Sequence, residues 1–185
     1  MTRKITAHMF STLNGVVEHP DRWQFDSFGP DEMQGMAEMT AATTDLVLGR
    51  TLWQEWSGYW PGAQDPFADW VNPVRKHVLT STLTGELAWN SVIITGDAAG
   101  YLERLRQKPG GDIAIAGGVE TTRRLVLAGL VDELTLTIHP VITGEGRRLF
   151  DDSVPTTRMD LLNSIQTRAG NIIATYALRP GSTAA

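Results

Sequence analysis

The stretch Asp112-Ile113-Ala114-Ile115-Ala116-Gly117-Gly118-Val119-Glu120-Thr121-Thr122 decides the fold class. A short apolar run ends in two glycines, and a helical pattern follows at once, which is typical of α/β proteins with a parallel sheet. Paired glycines at such a position let a dinucleotide pyrophosphate lie against bare backbone at the start of a helix. A tight turn is the alternative interpretation, and it explains one glycine better than two.

Similar apolar runs predict strands on both sides of this stretch. The predicted strands of the main sheet are Ile5–Phe10, Asp45–Leu48, His77–Leu79, Val92–Thr95, Ile113–Ala116 and Glu133–Pro140. Met159–Thr167 and Asn171–Leu178 predict a closing antiparallel hairpin. Because helical patterns alternate with the strands, we predict one three-layer α/β domain over residues 1–180, with a mainly parallel sheet. Residues 181–185 offer nothing to bury and predict a disordered tail.

Two further strand ends carry residues suited to binding an anion. At Gly49-Arg50-Thr51 the glycine permits close approach, the helix start offers free amides, and Arg50 supplies a guanidinium fork. An ordinary strand-to-helix turn with a solvent-facing arginine explains this motif equally well. Thr80, Ser81 and Thr82 place three hydroxyls after the next strand. Their composition alone is more typical of a plain polar loop.

Composition argues against several classes of function. Lys and Arg total 16 against 21 Asp and Glu, and the resulting net charge of −5 disfavours nucleic acid as a partner. Cysteine is absent, and the four histidines lack ligand spacing, so no metal is expected. The longest uncharged stretch, Ile5 to Val17, is too short for a membrane span. We therefore expect a cytoplasmic protein with no signal peptide and no membrane partner.

Six aromatic residues lie within residues 53–70. The stretch Ser57–Asn72, which contains four of them, predicts a loop with one helical turn. Packing within the core explains such a cluster more often than a stacking surface for a flat substrate ring does. Both interpretations stay open at this point. The aromatic residues are Trp53, Trp56, Tyr59, Trp60, Phe67 and Trp70.

Six motifs in their order along residues 5–178 resemble the dihydrofolate reductase fold. They are Thr12–Gly15, Leu48–Trp53, Lys76–Leu83, Asp112–Gly118, Leu130–Leu134 and Pro140–Gly146. The set is most similar to the reductase domain of the bifunctional riboflavin-biosynthesis deaminase-reductase, although the deaminase residues are missing. The fold class that this resemblance implies is a single dihydrofolate reductase-like α/β domain.

The resemblance implies an NADPH-dependent reductase of a small-molecule substrate that is a heterocycle (pterin- or pyrimidine-like) or an imine. It is similar to 5-amino-6-(5-phosphoribosylamino)uracil reductase, and relatives of this kind often form homodimers. A non-catalytic nucleotide- or small-ligand-binding module on the same fold is the alternative. Dihydrofolate reductases hold the folate glutamate tail with an arginine after the Gly-Arg motif. No Lys or Arg occurs from Thr51 to Val74 here, so folate is not the expected substrate.

The resemblance also implies roles for individual residues. Glu32, on the first predicted helix, matches the proton-donating carboxylate, although compensation of the helix dipole explains the same residue. Val17 would flank the nicotinamide, and Phe10, Trp53 and Thr137 would contact the substrate. The expected cofactor-binding residues at the strand ends are Gly49, Arg50, Thr51, Thr80, Ser81, Thr82, Gly117, Gly118, Val119, Glu120 and Thr121.

Overall fold

Eight β-strands form one sheet in the computed structural model, which describes residues 2–183. The strands are β1 (Ile5–Thr12), β2 (Thr43–Gly49), β3 (Arg75–Leu79), β4 (Ser91–Ile94), β5 (Asp112–Gly117), β6 (Glu133–His139), β7 (Thr157–Gln166) and β8 (Ile172–Thr183). Across the sheet their order is β4-β3-β2-β5-β1-β6-β8-β7. Strands β1 to β6 pair in parallel, whereas β8 is antiparallel to β6 and β7. The predicted α/β class with a C-terminal antiparallel hairpin is confirmed.

Strand β8 extends farther than the sequence predicts. Its backbone pairs with β7 as far as Thr183, which lies opposite Thr157. The prediction of a disordered tail is therefore wrong for residues 181–183. Backbone pairing with a neighbouring strand orders this segment, and a run of small residues gives no sign of that pairing. Residues 184–185 lie outside the described residues.

The described residues form five α-helices, which are α1 (Pro30–Ala42), α2 (Arg50–Tyr59), α3 (Pro66–Val71), α4 (Ala98–Arg106) and α5 (Val119–Leu127). Residues 57–72 are more helical than predicted, since α2 continues to Tyr59 and α3 follows. Helix α3 begins there because Asp65 accepts a hydrogen bond from the Phe67 amide at 2.7 Å and Pro66 occupies the first helical position. Within residues 2–183, no helix has the length and apolar character needed to cross a bilayer.

The sheet is covered by helices on both faces, because its central strands are apolar on both sides. Val47 and Ile115 pack with apolar residues of α4 and α5. Leu46, Leu48 and Ala114 point to the other face, where Met39 of α1 and residues of α2 and α3 cover them. The alternation of neighbouring residues between two clusters is the period-two pattern of a strand. The arrangement gives the three predicted layers and places β5 between β2 and β1, at the centre of the sheet.

Candidate functional site

A cleft of about 930 Å³ lies over the sheet face that α1 and α2 cover. Its floor consists of alternating residues of β1, namely Thr6, His8 and Phe10, together with Leu46 and Ala114. Methionines of α1 form one side, and α2 with the residues after it forms the other. The cleft reaches the carboxyl ends of β2 and β5, which is the edge where parallel α/β sheets bind ligands.

Two helices begin side by side at this edge. Strand β2 ends at Gly49 and leads into α2, while its neighbour β5 ends at Gly117 and leads into α5 through Gly118. Neither Gly49 nor Gly118 can cap its helix with a side chain, and among the described residues no other side chain does so. We call the first-turn amides of α2 and α5, with these three glycines, the amide corner.

The other three helices begin differently. Asp65 caps α3, and Asp97 caps α4 by accepting a hydrogen bond from the Gly100 amide at 2.9 Å. At α1 the Gly29 amide donates to the Glu32 carboxylate at 2.8 Å. Free first-turn amides carry the positive end of the helix dipole and favour a bound anion. Helices α2 and α5 begin at the wall of the cleft with no side-chain cap from their N-cap residues, so the amide corner suits a phosphate or pyrophosphate.

Close packing explains the glycines of the amide corner. A Cβ atom on Gly49 would lie 2.7 Å from the Gly117 carbonyl oxygen and would overlap the Thr121 hydroxyl. A Cβ atom on Gly117 would lie 2.9 Å from the Thr121 Cβ. Gly118 has a φ of +79°, which L side chains rarely adopt. These positions therefore need glycine to bring the two helix starts together.

Most of the predicted cofactor-binding residues meet at this place. Arg50 is exposed at the start of α2, and within residues 2–183 no hydrogen bond or ion pair engages its guanidinium. The predicted residues that line the cleft are Val17, Gly49, Arg50, Thr51, Gly117, Gly118, Val119, Glu120 and Thr121. Their roles stay predictions, but the structure brings them together in one cleft.

The loop with Thr80, Ser81 and Thr82 does not line the cleft. Its first hydroxyl turns inward on the loop, since Thr80 Oγ1 accepts hydrogen bonds from the amides of Thr82 at 3.1 Å and Leu83 at 3.0 Å. The loop follows β3, one strand farther from the centre than β2. It therefore lies beyond the amide corner, and its geometry is that of a hydroxyl-stabilised turn.

One face of α2 forms the aromatic side of the cleft. Leu52, Glu55, Trp56 and Tyr59 line it at the spacing of a single helix face. We call the aromatic wall the set Trp56, Tyr59, Trp60, Phe67 and Trp70, all of which line the cleft. The rings also pack on one another: the centroids of Trp56 and Trp60 lie 6.0 Å apart in a T-shaped arrangement. The two interpretations of the aromatic cluster are thus compatible, because its members pack and line a cleft.

Trp53, one of the predicted substrate residues, does not line the cleft. Its indole N–H donates to Ser91 Oγ on β4 at 2.9 Å, and the ring packs with the apolar cluster beneath α2. Helical geometry accounts for this position, because successive residues rotate by about 100° and Trp53 falls beside the cleft-lining face. We therefore correct the substrate-binding assignment of Trp53 to a packing role.

His8 lies on the cleft floor and was missed by the sequence analysis. Its Nε2 is 2.8 Å from Thr137 Oγ1 on β6, and its Nδ1 has no partner among the described residues. Burial lowers the pKa of His8 to about 4, so the imidazole is neutral at pH 7. The predicted substrate residue Thr137 is itself fully buried and does not line the cleft, so it can act on a ligand only through His8. Phe10, the third predicted substrate residue, lines the floor beside His8.

The chain matches the family model described as RibD C-terminal domain over residues 3–173. It belongs to that family. The Bacillus subtilis (strain 168) protein YyaP is 27% identical over 179 residues, with 94% of each chain covered. These matches extend over nearly the whole chain, so the family assignment covers both the sheet and the cleft.

Two solved structures show the same fold. One is a Thermotoga maritima diaminohydroxyphosphoribosylaminopyrimidine deaminase/5-amino-6-(5-phosphoribosylamino)uracil reductase, with a TM-score of 0.67 and 14% identity, covering 96% of this chain and 57% of that one. The other is the Enterococcus faecalis dihydrofolate reductase complexed with NADP(H) and RAB-propyl, with a TM-score of 0.65 and 17% identity, covering 97% and 99%. The predicted resemblance and the dihydrofolate reductase-like fold are confirmed.

Glu32, the predicted proton donor, does not line the cleft of this RibD C-terminal domain. The side chain is 3% exposed and also accepts a hydrogen bond from Asn171 Nδ2 at 2.7 Å. Burial raises the pKa of its carboxyl, but hydrogen bonds from Thr167, Asn171 and Gly29 outweigh burial and lower the pKa overall. A buried carboxylate that is stabilised in its charged form suits a cap of α1. The buried position of Glu32 and the lowered pKa of its carboxyl therefore favour a role in stabilising the start of α1 over a role as proton donor.

Proposed function

We propose that this protein is an NADPH-dependent reductase that transfers a hydride to a small heterocyclic or imine-type substrate. The observation that carries the proposal is the amide corner, where two neighbouring helices begin without side-chain caps on the wall of a large cleft. Membership of the RibD C-terminal domain family supports a reductase. The likeness in fold to a dihydrofolate reductase complexed with NADP(H) supports the cofactor.

The residues of the amide corner fit the anionic part of NADPH. Amides at the starts of α2 and α5 would donate to the pyrophosphate from its two sides. Arg50 would pair with the 2′-phosphate that distinguishes NADPH from NADH, because a guanidinium fork matches phosphate oxygens. When bound, the nicotinamide supplies the hydride, and the chain orients the two rings and excludes water.

A titration of NADPH, followed by the intrinsic fluorescence of the cleft tryptophans, tests the cofactor. We expect a saturable change and a thermal stabilisation, since a ligand at 100 times its Kd stabilises the folded state by about 2.7 kcal/mol. No saturable change, together with no thermal shift at millimolar NADPH, would refute the proposal.

Arg50→Ala tests the assignment of the 2′-phosphate. Loss of one charged phosphate contact costs about 1.5–3 kcal/mol, so NADPH affinity should fall by about 10- to 100-fold. NADH affinity should change little, because NADH lacks that phosphate. Arg124→Ala is the matched control: Arg124 is exposed and does not line the cleft, yet its loss changes the net charge equally. Equal losses for NADPH and NADH would contradict the assigned role.

A binding module without catalysis is the second candidate, and the position of Glu32 favours it. Among the acids that do line the cleft, Glu18 is held by Arg147, whose side-chain hydrogen bonds lower the pKa of the Glu18 carboxyl. Neither Glu18 nor Glu32 therefore suits proton donation at neutral pH. Oxidation of NADPH, followed at the nicotinamide absorbance with a panel of heterocycles and imines, separates the candidates. Turnover of any substrate would reject the binding module.

A further inference from the structure

We propose that the aromatic half of the cleft takes a flat ring that carries no phosphate or carboxylate, stacked on the aromatic wall beside the imidazole of His8. Such a ring is the substrate class of the reductase proposed above, and its role as a substrate rests on that proposed function. A phosphorylated substrate or one with a glutamate tail is thereby excluded from this half of the cleft.

The segments around the aromatic half of the cleft contain acidic residues but no basic ones. Helix α1 and residues 51–74 contain no Lys or Arg, whereas residues 51–74 alone contain Glu55, Asp65 and Asp69. Glu55 lies on the cleft-lining face of α2, beside Trp56. An anionic group on a ligand here would meet like charge and would lose its hydration without gaining a partner.

Two arginines line the cleft: Arg147 is paired with a glutamate, and Arg50 lies at the amide corner. The Arg147 guanidinium donates two hydrogen bonds to Glu18 Oε1, from Nε at 2.9 Å and from Nη2 at 2.7 Å. Arg50 lies at the amide corner, at the opposite end of α2 from Tyr59. At 1.5 Å and 100° per residue, Arg50 lies about 9 Å along the helix axis from Trp56 and about 14 Å from Tyr59, and it is turned about 120° away from the Trp56 face of the helix. Within the described part of the chain, no guanidinium or ammonium is free to bind an anion beside this wall.

His8 supplies a hydrogen-bonding group on the floor of the cleft. Its Nδ1 atom is unpartnered among the described residues, while Nε2 is held by Thr137. Because His8 lines the cleft, a ring nitrogen, amide or carbonyl group of a ligand can pair with this atom. An uncharged heterocycle carries such groups without bringing a charge into the cleft.

Riboflavin and FMN form a matched pair of probes, since they share one flat ring system and differ by a phosphate. Stacking against tryptophan quenches flavin fluorescence, which gives a readout specific to ring contact. We expect saturable quenching of riboflavin and at least about tenfold weaker binding of FMN. Equal or tighter binding of FMN, or no quenching of riboflavin, would overturn the proposal.

Variants on one helix sharpen the test. Trp56→Leu should weaken riboflavin binding by about tenfold, because it removes a stacking ring. Trp53→Leu is the matched control on the same helix and should leave binding unchanged, since Trp53 does not line the cleft. Glu55→Arg places a cation on the exposed cleft face and should tighten FMN binding by about tenfold without tightening riboflavin binding. An equal response to both probes in Glu55→Arg would contradict the proposed charge selection.

Titrations with and without saturating NADPH separate this inference from the proposed function. NADPH binding without quenching of riboflavin would refute the inference and leave the reductase standing. Selective quenching of riboflavin without any NADPH binding would refute the reductase and leave a site for an uncharged ring. Both signals together are the expected result.

Discussion

Gly49→Ala probes the packing that brings the two helix starts together. The added Cβ would lie 2.7 Å from the Gly117 carbonyl oxygen, which belongs to the backbone and cannot rotate away. Overpacking of this kind costs about 1–3 kcal/mol, and the loss of glycine flexibility in the unfolded chain offsets about 0.5–1 kcal/mol of it. We expect a net loss of about 1–2 kcal/mol in the free energy of unfolding. For a chain of this length, that lowers Tm by about 2–8 °C.

Gly58→Ala is the matched control for this change. Gly58 lies on the same helix, and a Cβ added there meets nothing within 4 Å. We expect Gly58→Ala to raise stability by up to about 1 kcal/mol, as alanine is the better helix former. Thermal unfolding, with an NADPH titration of each variant, provides the assay. Equal stability and equal NADPH affinity in the two variants would refute the packing argument.

Two further predictions concern pH and buried charge. Asp45→Asn should cost about 3–5 kcal/mol in urea unfolding at pH 7, because it leaves the buried Arg3 guanidinium without its carboxylate. Burial raises the pKa of Asp45, but hydrogen bonds from His77 and Arg3 outweigh burial and hold the pKa well below 3.8. The ionised carboxylate therefore stabilises the folded state above about pH 4, and this stabilisation is lost as the pH falls further. Asp45→Asn should make the free energy of unfolding depend less on pH in that range. Because the pKa of His8 is lowered to about 4, the unfolded state binds more protons between pH 4 and 6.5, and stability falls with falling pH. His8→Leu should reduce that slope, and an unchanged slope would contradict the burial of a neutral His8.

The sequence predicts the sheet and the amide corner well, because both follow from local patterns. Apolar runs give the strands, and Gly49, Gly117 and Gly118 stand at two strand-to-helix turns where a glycine is a recognisable signal. The structure needs glycine there for close contacts with Gly117 and Thr121 and for the positive φ of Gly118. The tail is the exception, since the pairing of residues 181–183 depends on a neighbouring strand.

The aromatic half of the cleft is predicted less well, because each assignment depends on which way a side chain points. Trp53 and Trp56 are both tryptophans on α2, but helical geometry places only Trp56 on the face that lines the cleft. Glu32 lies three residues after Gly29, which is the spacing of a helix-capping acid, and the structure uses it in that way. His8 was missed although it shares with Phe10 the alternating positions of β1 that face the cleft.

A crystal structure of the protein with NADP⁺ at saturating concentration tests the central claim most directly. We predict pyrophosphate density within about 2.7–3.2 Å of first-turn amides of both α2 and α5, with the 2′-phosphate at Arg50. Density for NADP⁺ at any other place on the molecule, or an empty cleft at a concentration that saturates binding in solution, would contradict the account.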